Sequence, residues 1–553
     1  MSAVVQTSDA RRRVSVWRPS VSQEGMALAA SIFFSVACNA AFWRAYAGTG
    51  ALDSASGWVT AASLATAMTG LHFLLLCVVM NRWTAKPVLS VLLVVTAVAG
   101  YYSHHYGVYL DPDMIRNVLH TDSREARELL TPGLALPVLA ALIPVAMVWW
   151  TRIPVQAPAP ALLRRVVLMV AVAAVTTGAL LVSFQDISAL MRNRTELRHL
   201  IAPGNYLVSL IRVATEDPAA AVRARQPVGS DAFVVGRSDG KPRVLVIVVG
   251  ETVRAQNWGL NGYARQTTPE LANLDVLNFT DVSACGSSTD VSLPCMFSAQ
   301  GRRGYDKRAI RESESLLNVL DHAGIATLWR DNQGGCKGVC AGLPFESLVD
   351  ARVAELCNTE RCLDEVLLHD LRAKIDAQDR DQVIVLHQLG NHGPSYYQRY
   401  PDQFRRFVPV CESADLGKCR QAEIVNAYDN AILYTDHFLA RLIETLGADD
   451  TRDSAVIYVS DHGESLGEGN LYLHGMPYTI APATQLKVPM VMWLSPALAA
   501  DRHIDIGCMR QRLDAPATHD NLFSSVLGLM QVDTTVYDPS QDLFVPCMGR
   551  GHG

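Results

Sequence analysis

Three apolar stretches of the chain each end in side chains that bind divalent metals. Residues 244–249, 383–386 and 455–459 are rich in β-branched residues, and they are followed by Glu251, His387, His392, Asp461, His462 and, after a glycine-rich turn, His474. Carboxylate and imidazole groups suit a divalent metal, most plausibly zinc. Because the carboxyl ends of strands in an open α/β sheet meet at one edge, we expect one site at that edge.

A hydroxyl-rich segment lies between the first two stretches. Residues 284–298 read ACGSSTDVSLPCMFS and precede a predicted helix. The start of a helix offers unpaired N–H groups and the positive end of its dipole, which favour phosphate. A hydroxyl there, beside a dication, could ionise and attack phosphorus. On chemistry alone the candidates are Ser287, Ser288, Thr289 and Ser292; helix capping is the alternative role for each.

The chain before about residue 185 is too apolar for a soluble protein. Most of its five apolar segments approach the ~20 residues that cross a bilayer, and they cover residues 26–45, 57–80, 87–101, 133–150 and 166–184. Basic residues concentrate before the first segment, between the second and third, and between the fourth and fifth. This bias predicts a cytoplasmic N-terminus and an external location for everything after the fifth span.

These patterns predict two folded regions joined by a bridge. We expect a transmembrane domain at 1–184 with five helices and a periplasmic loop at 102–131, a bridging helix and linker at 185–241, and a periplasmic catalytic domain at 242–553. In the loop, Met114 and Val118 suggest an amphipathic helix on the membrane surface. A solvated cap without a role is the alternative.

The cysteines support this topology. Ten of the twelve follow residue 280 and form an even set, as in an oxidising compartment. Their spacing favours neighbouring pairs: Cys285–Cys295, Cys336–Cys340, Cys357–Cys362 and Cys411–Cys419, which leaves Cys508–Cys547. A zinc cluster is the competing interpretation, but no second matching pair follows the short Cys spacings. The net charge of −6 gives no indication of a nucleic-acid partner.

Several linked motifs resemble those of the lipid A phosphoethanolamine transferases. The motifs, in chain order, are Gly250-Glu251-Thr252, the 285–298 segment, Cys336-Lys337-Gly338-Val339-Cys340, Asn391-His392-Gly393-Pro394, Ser460-Asp461-His462-Gly463-Glu464-Ser465 and Leu473-His474-Gly475. This family includes the mobile colistin-resistance enzymes. The resemblance covers the whole chain and implies a multi-pass α-helical membrane domain followed by an α/β domain like those of alkaline phosphatases and sulfatases.

The resemblance also implies roles for individual residues. Thr289 would be the nucleophile, and Glu251, Thr289, Asp461 and His462 would hold zinc. His392 and His474 would bind a second metal or the substrate phosphate, and Lys337 would contact phosphoethanolamine. The lipid-facing positions of the loop would be Asn117, Thr121 and Glu125. The implied reaction transfers phosphoethanolamine from phosphatidylethanolamine to lipid A through a threonine intermediate and gives polymyxin resistance. We expect an inner-membrane monomer.

The sequence departs from the family at two positions beside the nucleophile. Ser287 stands where the family usually has Thr, and Asp290 stands where it commonly has Ala. A carboxylate at 290 would disfavour an anionic substrate unless it points away or pairs with a cation.

Other functions share parts of this pattern. The acceptor could be a core sugar of lipopolysaccharide or a periplasmic glucan. A phosphoglycerol transferase like lipoteichoic acid synthase has five spans and a threonine nucleophile, but the paired cysteines argue against it. A sulfatase would need a Cys-x-Pro-x-Arg signal, which is absent. A non-catalytic membrane-anchored scaffold is the alternative outside the enzymes.

Overall fold

A computed structural model describes residues 17–121, 123–215, 225–235, 240–359 and 361–549 of the chain. The side chains of 120, 123–125, 195 and 196 also lie outside this description. The chain forms two compact units: Met1–Tyr101 with Leu134–Gly204, and Tyr102–Gly133 with Asn205–Gly553. The segment between the third and fourth apolar stretches therefore groups with the C-terminal part of the chain.

The described residues between 17 and 215 are mainly helical. Ten helices follow in chain order: α1 (Gln23–Val36), α2 (Ala40–Ala47), α3 (Ala55–Val79), α4 (Ala85–His105), α5 (Pro112–His120), α6 (Ser123–Leu129), α7 (Ala135–Trp150), α8 (Pro158–Val182), α9 (Phe184–Asn193) and α10 (Gly204–Thr215). Four segments, containing α3, α4, α7 and α8, are long and apolar enough to cross a membrane. The helices α1 and α2 pass the same test together, although they meet at 45°.

The first predicted span is thus a bent pair rather than one straight helix. At the bend, the Asn39 amide donates to the carbonyls of Phe34 and Ala202, each at 2.7 Å. The Trp43 indole donates to the Ser35 carbonyl at 2.8 Å. Backbone groups released by a helix break must find partners inside the protein when water is absent. The bend is therefore stabilised by its own side chains, a contact that hydropathy does not reveal.

The fifth predicted span begins earlier than the sequence indicated. Helix α8 starts at Pro158, not at 166, and it includes Arg164 and Arg165. Both arginines pair with Glu24 of α1, at 2.6 and 3.4 Å. Arg165 also donates to the Met80 carbonyl at the end of α3. Because both arginines have partners within the protein, the helix extends through residues that the sequence assigned to a loop.

The C-terminal unit contains the remaining elements. The strands are β1 (Phe233–Val234), β2 (Arg243–Gly250), β3 (Leu277–Ser283), β4 (Ala326–Asp331), β5 (Phe345–Ser347), β6 (Gln382–His387), β7 (Asp453–Ser460), β8 (Ser465–Leu466), β9 (Tyr472–Leu473), β10 (Lys487–Leu494), β11 (Ala517–Thr518) and β12 (Val532–Asp533). The helices are α11 (Thr289–Met296), α12 (Lys307–Glu312), α13 (Leu316–His322), α14 (Leu371–Asp376), α15 (Gln421–Gly447), α16 (Ala483–Leu486), α17 (Pro496–Asp501), α18 (Ile506–Arg510) and α19 (Asp520–Leu529).

Eight of these strands form one sheet in the order β11-β3-β10-β7-β2-β6-β4-β5. The five strands from β7 to β5 are parallel, and β10 runs antiparallel to both of its neighbours. Every residue of β2, β6 and β7 is buried, which explains their continuous apolar sequences. The expected α/β domain with a mainly parallel central sheet is confirmed.

The register of the three central strands brings their carboxyl ends together. Gly250 of β2 lies opposite Ser460 of β7, and Val249 lies opposite His387 of β6. Residues that follow these strands therefore emerge side by side at one edge of the sheet, as the sequence predicted.

The five predicted disulfides are all present. They join Cys285–Cys295, Cys336–Cys340, Cys357–Cys362, Cys411–Cys419 and Cys508–Cys547. The alternative of a cysteine zinc cluster is therefore wrong for these residues.

Candidate metal centre and active site

A buried cluster of acidic and imidazole groups lies at the carboxyl edge of the sheet. Glu251 follows β2, and Asp461 and His462 follow β7; all three are fully buried. Each offers a ligand atom, and these atoms lie within 4.8 Å of one another. His462 Nε2 is 3.3 Å from Glu251 Oε1 and 3.4 Å from Asp461 Oδ2.

The hydrogen bonds around this cluster leave its inner atoms available to a cation. Asp461 Oδ1 accepts the backbone N–H groups of Thr252 and His462 at 3.2 and 2.7 Å. Its other oxygen, Oδ2, is buried and has no hydrogen-bond partner. His462 Nδ1 lies 2.9 Å from the Gly463 carbonyl, which favours a proton on Nδ1 and directs Nε2 toward the carboxylates. A buried carboxylate oxygen without a hydrogen bond, next to an imidazole nitrogen that faces the carboxylates, fits a divalent metal.

The pKa values of the two carboxyl groups also support a bound cation in this cluster. Burial and the neighbouring Glu251 carboxylate raise the pKa of Asp461 above its ordinary value. Burial also opposes ionisation of Glu251, but the hydrogen bond from His462 and the nearby histidines lower the pKa of this group. Two carboxylates this close in a dry site need a positive charge between them. A bound dication would supply that charge.

Thr289 is the first residue of α11 and lies against this cluster. Its Oγ1 is 3.1 Å from both carboxylate oxygens of Glu251 and 3.3 Å from His462 Nε2. Ser288 occupies the N-cap position, but its side chain makes no capping hydrogen bond. Among the four hydroxyl candidates, Thr289 is the one whose side chain contacts both Glu251 and His462 in the described hydrogen bonds.

A histidine behind α11 holds the nucleophile turn against β7. The ring of His519 is hydrogen-bonded to the Cys285 N–H at 3.1 Å and to the Ser460 carbonyl at 3.0 Å. Burial lowers the pKa of His519 to about 4, so the ring is neutral at the pH of a cell. His519 therefore links the turn before Thr289 to the end of β7, next to Asp461. It was not among the residues predicted from the sequence.

Two further histidines lie beside the cluster. The rings of His462 and His474 are 4.4 Å apart, and those of His474 and His392 are 5.7 Å apart. His474 Nδ1 is 3.2 Å from Glu464 Oε2, and Glu464 Oε1 is buried without a partner. The sequence analysis quoted Glu464 only as part of a motif, although its position three residues after Asp461 was the available signal.

His387, one of the ligand candidates that follow the apolar stretches, is the buried last residue of the neighbouring strand β6. His387 Nδ1 is 2.7 Å from Asp331 Oδ1, and its Nε2 lies 3.9 Å from Glu251 Oε2. This Nε2 has no hydrogen-bond partner in the described structure. His387 therefore stands behind Glu251, where it can orient the carboxylate.

The remaining candidates lie on flanking segments. Lys337 is in the disulfide-closed loop 336–340 and lines a cavity of about 10 Å³ with Phe297 and Arg311. Asn117 lies on α5, and the Thr121 hydroxyl donates to the Asn117 carbonyl at 2.8 Å. The side chain of Glu125 lies outside the described residues. The structure brings Lys337 near the end of the nucleophile helix, but no described contact joins it to Thr289.

The carboxylate of Asp290 is paired with cations. Its Oδ2 is 2.7 Å from Arg311 Nη2 and 3.9 Å from Arg116 Nη1. The negative charge beside the nucleophile is therefore compensated, which was the condition for tolerating an anionic substrate.

Comparisons with known proteins agree with this geometry. The family profile for phosphoethanolamine transferase EptA/EptB matches residues 68–217, and the sulfatase profile matches residues 243–532. The chain is 35% identical to phosphoethanolamine transferase EptA of Escherichia coli strain K12 over 544 residues, which is 96% of this chain and 98% of that protein. It is also 35% identical to phosphatidylethanolamine transferase Mcr-1 of Escherichia coli, over 94% of this chain and 97% of that one.

A solved structure covers the same length. The integral membrane lipooligosaccharide phosphoethanolamine transferase A (EptA) of Neisseria meningitidis superposes with a TM-score of 0.90 and 33% identity, over 96% of this chain and all of that one. Three findings agree: the membrane helices, the sulfatase-like sheet and the 35% sequence identity over nearly the full length of the chain. The chain belongs to the EptA family of phosphoethanolamine transferases, which are integral membrane enzymes.

Proposed function

We propose that this enzyme transfers phosphoethanolamine from phosphatidylethanolamine to a phosphate of lipid A through a covalent phosphoethanolamine–Thr289 intermediate. The observation that supports it most directly is the contact of Thr289 Oγ1 with Glu251 and His462 at the start of α11. A hydroxyl in this position can approach phosphorus while the helix N-terminus stabilises the phosphate oxygens.

The proposal assigns zinc to Glu251, Thr289, Asp461 and His462. Zinc in such a site lowers the pKa of a hydroxyl and neutralises phosphate charge. His392 and His474 would bind the substrate phosphate or a second ion, and Lys337 would contact the phosphoethanolamine group. Asn117, Thr121 and Glu125 would face the lipid.

The reaction then proceeds in two displacements. Thr289 Oγ1 forms a bond to phosphorus, the bond from phosphorus to the glycerol oxygen breaks, and diacylglycerol leaves with the proton that Thr289 gave up. A phosphate oxygen of lipid A next forms a bond to the same phosphorus, the bond from phosphorus to Thr289 Oγ1 breaks, and Oγ1 takes up a proton from the attacking phosphate group or from solvent. The product carries an added amine, which lowers the negative charge of the lipid and weakens the binding of cationic peptides such as polymyxin.

The location follows from the substrates and the charge bias. We propose a cytoplasmic N-terminus, a periplasmic catalytic domain at 242–553 and a monomer in the bacterial inner membrane. Both lipids would then be met at the outer face of that membrane. The basic residues on one side of the apolar segments support this orientation.

The covalent intermediate can be trapped by supplying the donor without an acceptor. The full-length protein, incubated with phosphatidylethanolamine in detergent and digested, should give a peptide that contains Thr289 with one added phosphoethanolamine. Thr289→Ala should carry no such addition, because the attacking oxygen is gone. Ser288→Ala is the matched control and should still be labelled at Thr289. Labelling of Thr289→Ala, or labelling at Ser288 instead, would contradict the mechanism.

A further inference from the structure

Five charged side chains of alternating sign connect three helices beside the nucleophile. Lys307 and Arg311 belong to α12, Asp113 and Arg116 to α5, and Asp290 to α11. Lys307 pairs with Asp113, and Asp113 pairs with Arg116 at 2.9 Å. Asp290 pairs with Arg116 at 3.9 Å and with Arg311 at 2.7 Å. Asp290, one of the two anions of this five-charge network, is the residue that follows Thr289.

We propose that Asp290 is a positioning residue for the donor lipid. Through Arg116 it holds α5, which carries the lipid-facing Asn117 and Thr121, in register with the nucleophile. The inference rests on the proposed function, because it assigns α5 to donor binding. It goes further by naming the contact that couples this helix to Thr289.

The pairing of Arg116 with Asp290 is buried. The side chains of Arg116 and Asp290 are 4% and 3% exposed. Water and salt screen such a pair far less than a surface ion pair. Removing the anion would leave two cations, Arg116 and Arg311, with one counter-charge fewer in a dry environment. The position of α5 therefore depends on a charge that lies one residue from the reacting oxygen.

A second contact fixes α5 on the other side of the site. The Met114 side chain packs so closely on Gly475 that a Cβ at this glycine would lie 2.5 Å from Met114 Cε. Gly475 follows His474, and its N–H donates to the Ser287 carbonyl at 2.7 Å. Helix α5 is thus held at two points, one beside His474 and one beside Thr289. A small shift of α5 would move Asn117 and Thr121 away from the donor lipid and weaken its binding.

The competing role for Asp290 is local. A carboxylate in the first turn of a helix stabilises the helix dipole wherever it occurs. That role predicts a loss of stability when the charge is removed, without a specific change in donor binding, and it gives Arg116 no part. The two roles therefore differ in the kinetic constant that they affect.

The test compares variants of the full-length enzyme in detergent, with phosphatidylethanolamine as the donor and lipid A as the acceptor. Asp290→Asn should raise the apparent KM for the donor about tenfold or more, since misplacement of a binding element is costly. The kcat should stay within about threefold, because Thr289 and its partners are unchanged. Arg116→Gln removes the other partner of this ion pair. It should likewise raise the apparent KM for the donor and leave kcat within about threefold.

Three further variants make the test specific. Asp290→Glu keeps the charge and should restore most of the donor affinity. In a double-mutant cycle, Asp290→Asn with Arg116→Gln should raise KM no more than either change alone. Arg308→Gln is the matched control, because this exposed arginine lies on the same helix as Arg311 and pairs within that helix with Glu312 at 2.8 Å. It should leave KM unchanged.

The positioning role of Asp290 and the proposed function would be overturned by different results. An unchanged KM in both single variants, additive effects in the cycle, or a fall in kcat alone would overturn the positioning role. If Asp290→Asn does not fold, Arg116→Gln decides between the same outcomes. A wild-type enzyme that forms no phosphoethanolamine–Thr289 intermediate would instead overturn the proposed function.

Discussion

Glu251 is the side chain on which Thr289 and the other candidate metal ligands converge. Both of its oxygens lie 3.1 Å from Thr289 Oγ1, and one lies 3.3 Å from His462 Nε2. Glu251→Gln keeps the shape of the side chain and removes its charge. We expect bound zinc to fall and kcat to drop by about a hundredfold or more, as when charge stabilisation is removed from an active site.

Zinc content by elemental analysis and steady-state transfer rates check this prediction together. Glu270→Gln is the matched control, because this carboxylate pairs with His437 at 3.0 Å and is 43% exposed. Its zinc content and rate should match the wild type. Full zinc occupancy and full activity in Glu251→Gln would remove Glu251 from the site.

Residue type and spacing predict some features of the site, whereas others depend on contacts that only the tertiary structure creates. Glu251, Asp461 and His462 follow apolar strands, and their chemistry is visible from residue type and spacing. His387 also follows an apolar stretch and was expected at this edge, but its pairing with Asp331 and its position near Glu251 depend on the order of the strands in the sheet. The pairing of Asp290 likewise depends on Arg116, a residue far away in the sequence. Contacts of this kind follow only from the tertiary structure.

At the level of elements, the turn before α11 is fixed by a disulfide. Cys285–Cys295 encloses Thr289, and His519 binds the turn from behind. Replacing both cysteines by alanine should lower the stability by about 2–4 kcal/mol. It should also lower kcat, because the nucleophile loses its fixed position.

Thermal unfolding and transfer rates of the same preparation separate these two effects. The matched control replaces Cys508 and Cys547, a pair that joins α18 to the C-terminal segment. That variant should lose comparable stability and keep its kcat. An equal loss of kcat in both variants would show that the turn disulfide acts only through overall stability.

Hydropathy predicted the number and approximate position of the membrane helices, but not their bends or their exact ends. The apolar runs predicted every candidate span, because a bilayer selects for length and composition. They did not predict the bend at Asn39, whose stability depends on hydrogen bonds to Phe34 and Ala202. They also misplaced the start of α8, where Arg164 and Arg165 share Glu24 as their ion-pair partner.

For the whole molecule, metal binding and folding stability should be linked. A ligand that binds the folded state raises the unfolding temperature, and the buried carboxylates of Glu251 and Asp461 repel each other without a cation. Treatment with a chelator should lower the unfolding temperature and abolish labelling of Thr289, and added zinc should restore both. Asp461→Asn should show little response of the unfolding temperature to the chelator. An unchanged unfolding temperature and full labelling of the wild type in chelator would contradict a metal-dependent site.

The central claim concerns which lipid gains the group, and lipid A from living cells tests it most directly. Cells that express the wild-type chain or Thr289→Ala at equal levels are compared by mass spectrometry of their lipid A. We predict that lipid A gains the mass of one phosphoethanolamine with the wild type alone. Addition to a core sugar or a periplasmic glucan, with unmodified lipid A, would contradict the acceptor. Unmodified acceptors of all three kinds would contradict the transfer reaction itself.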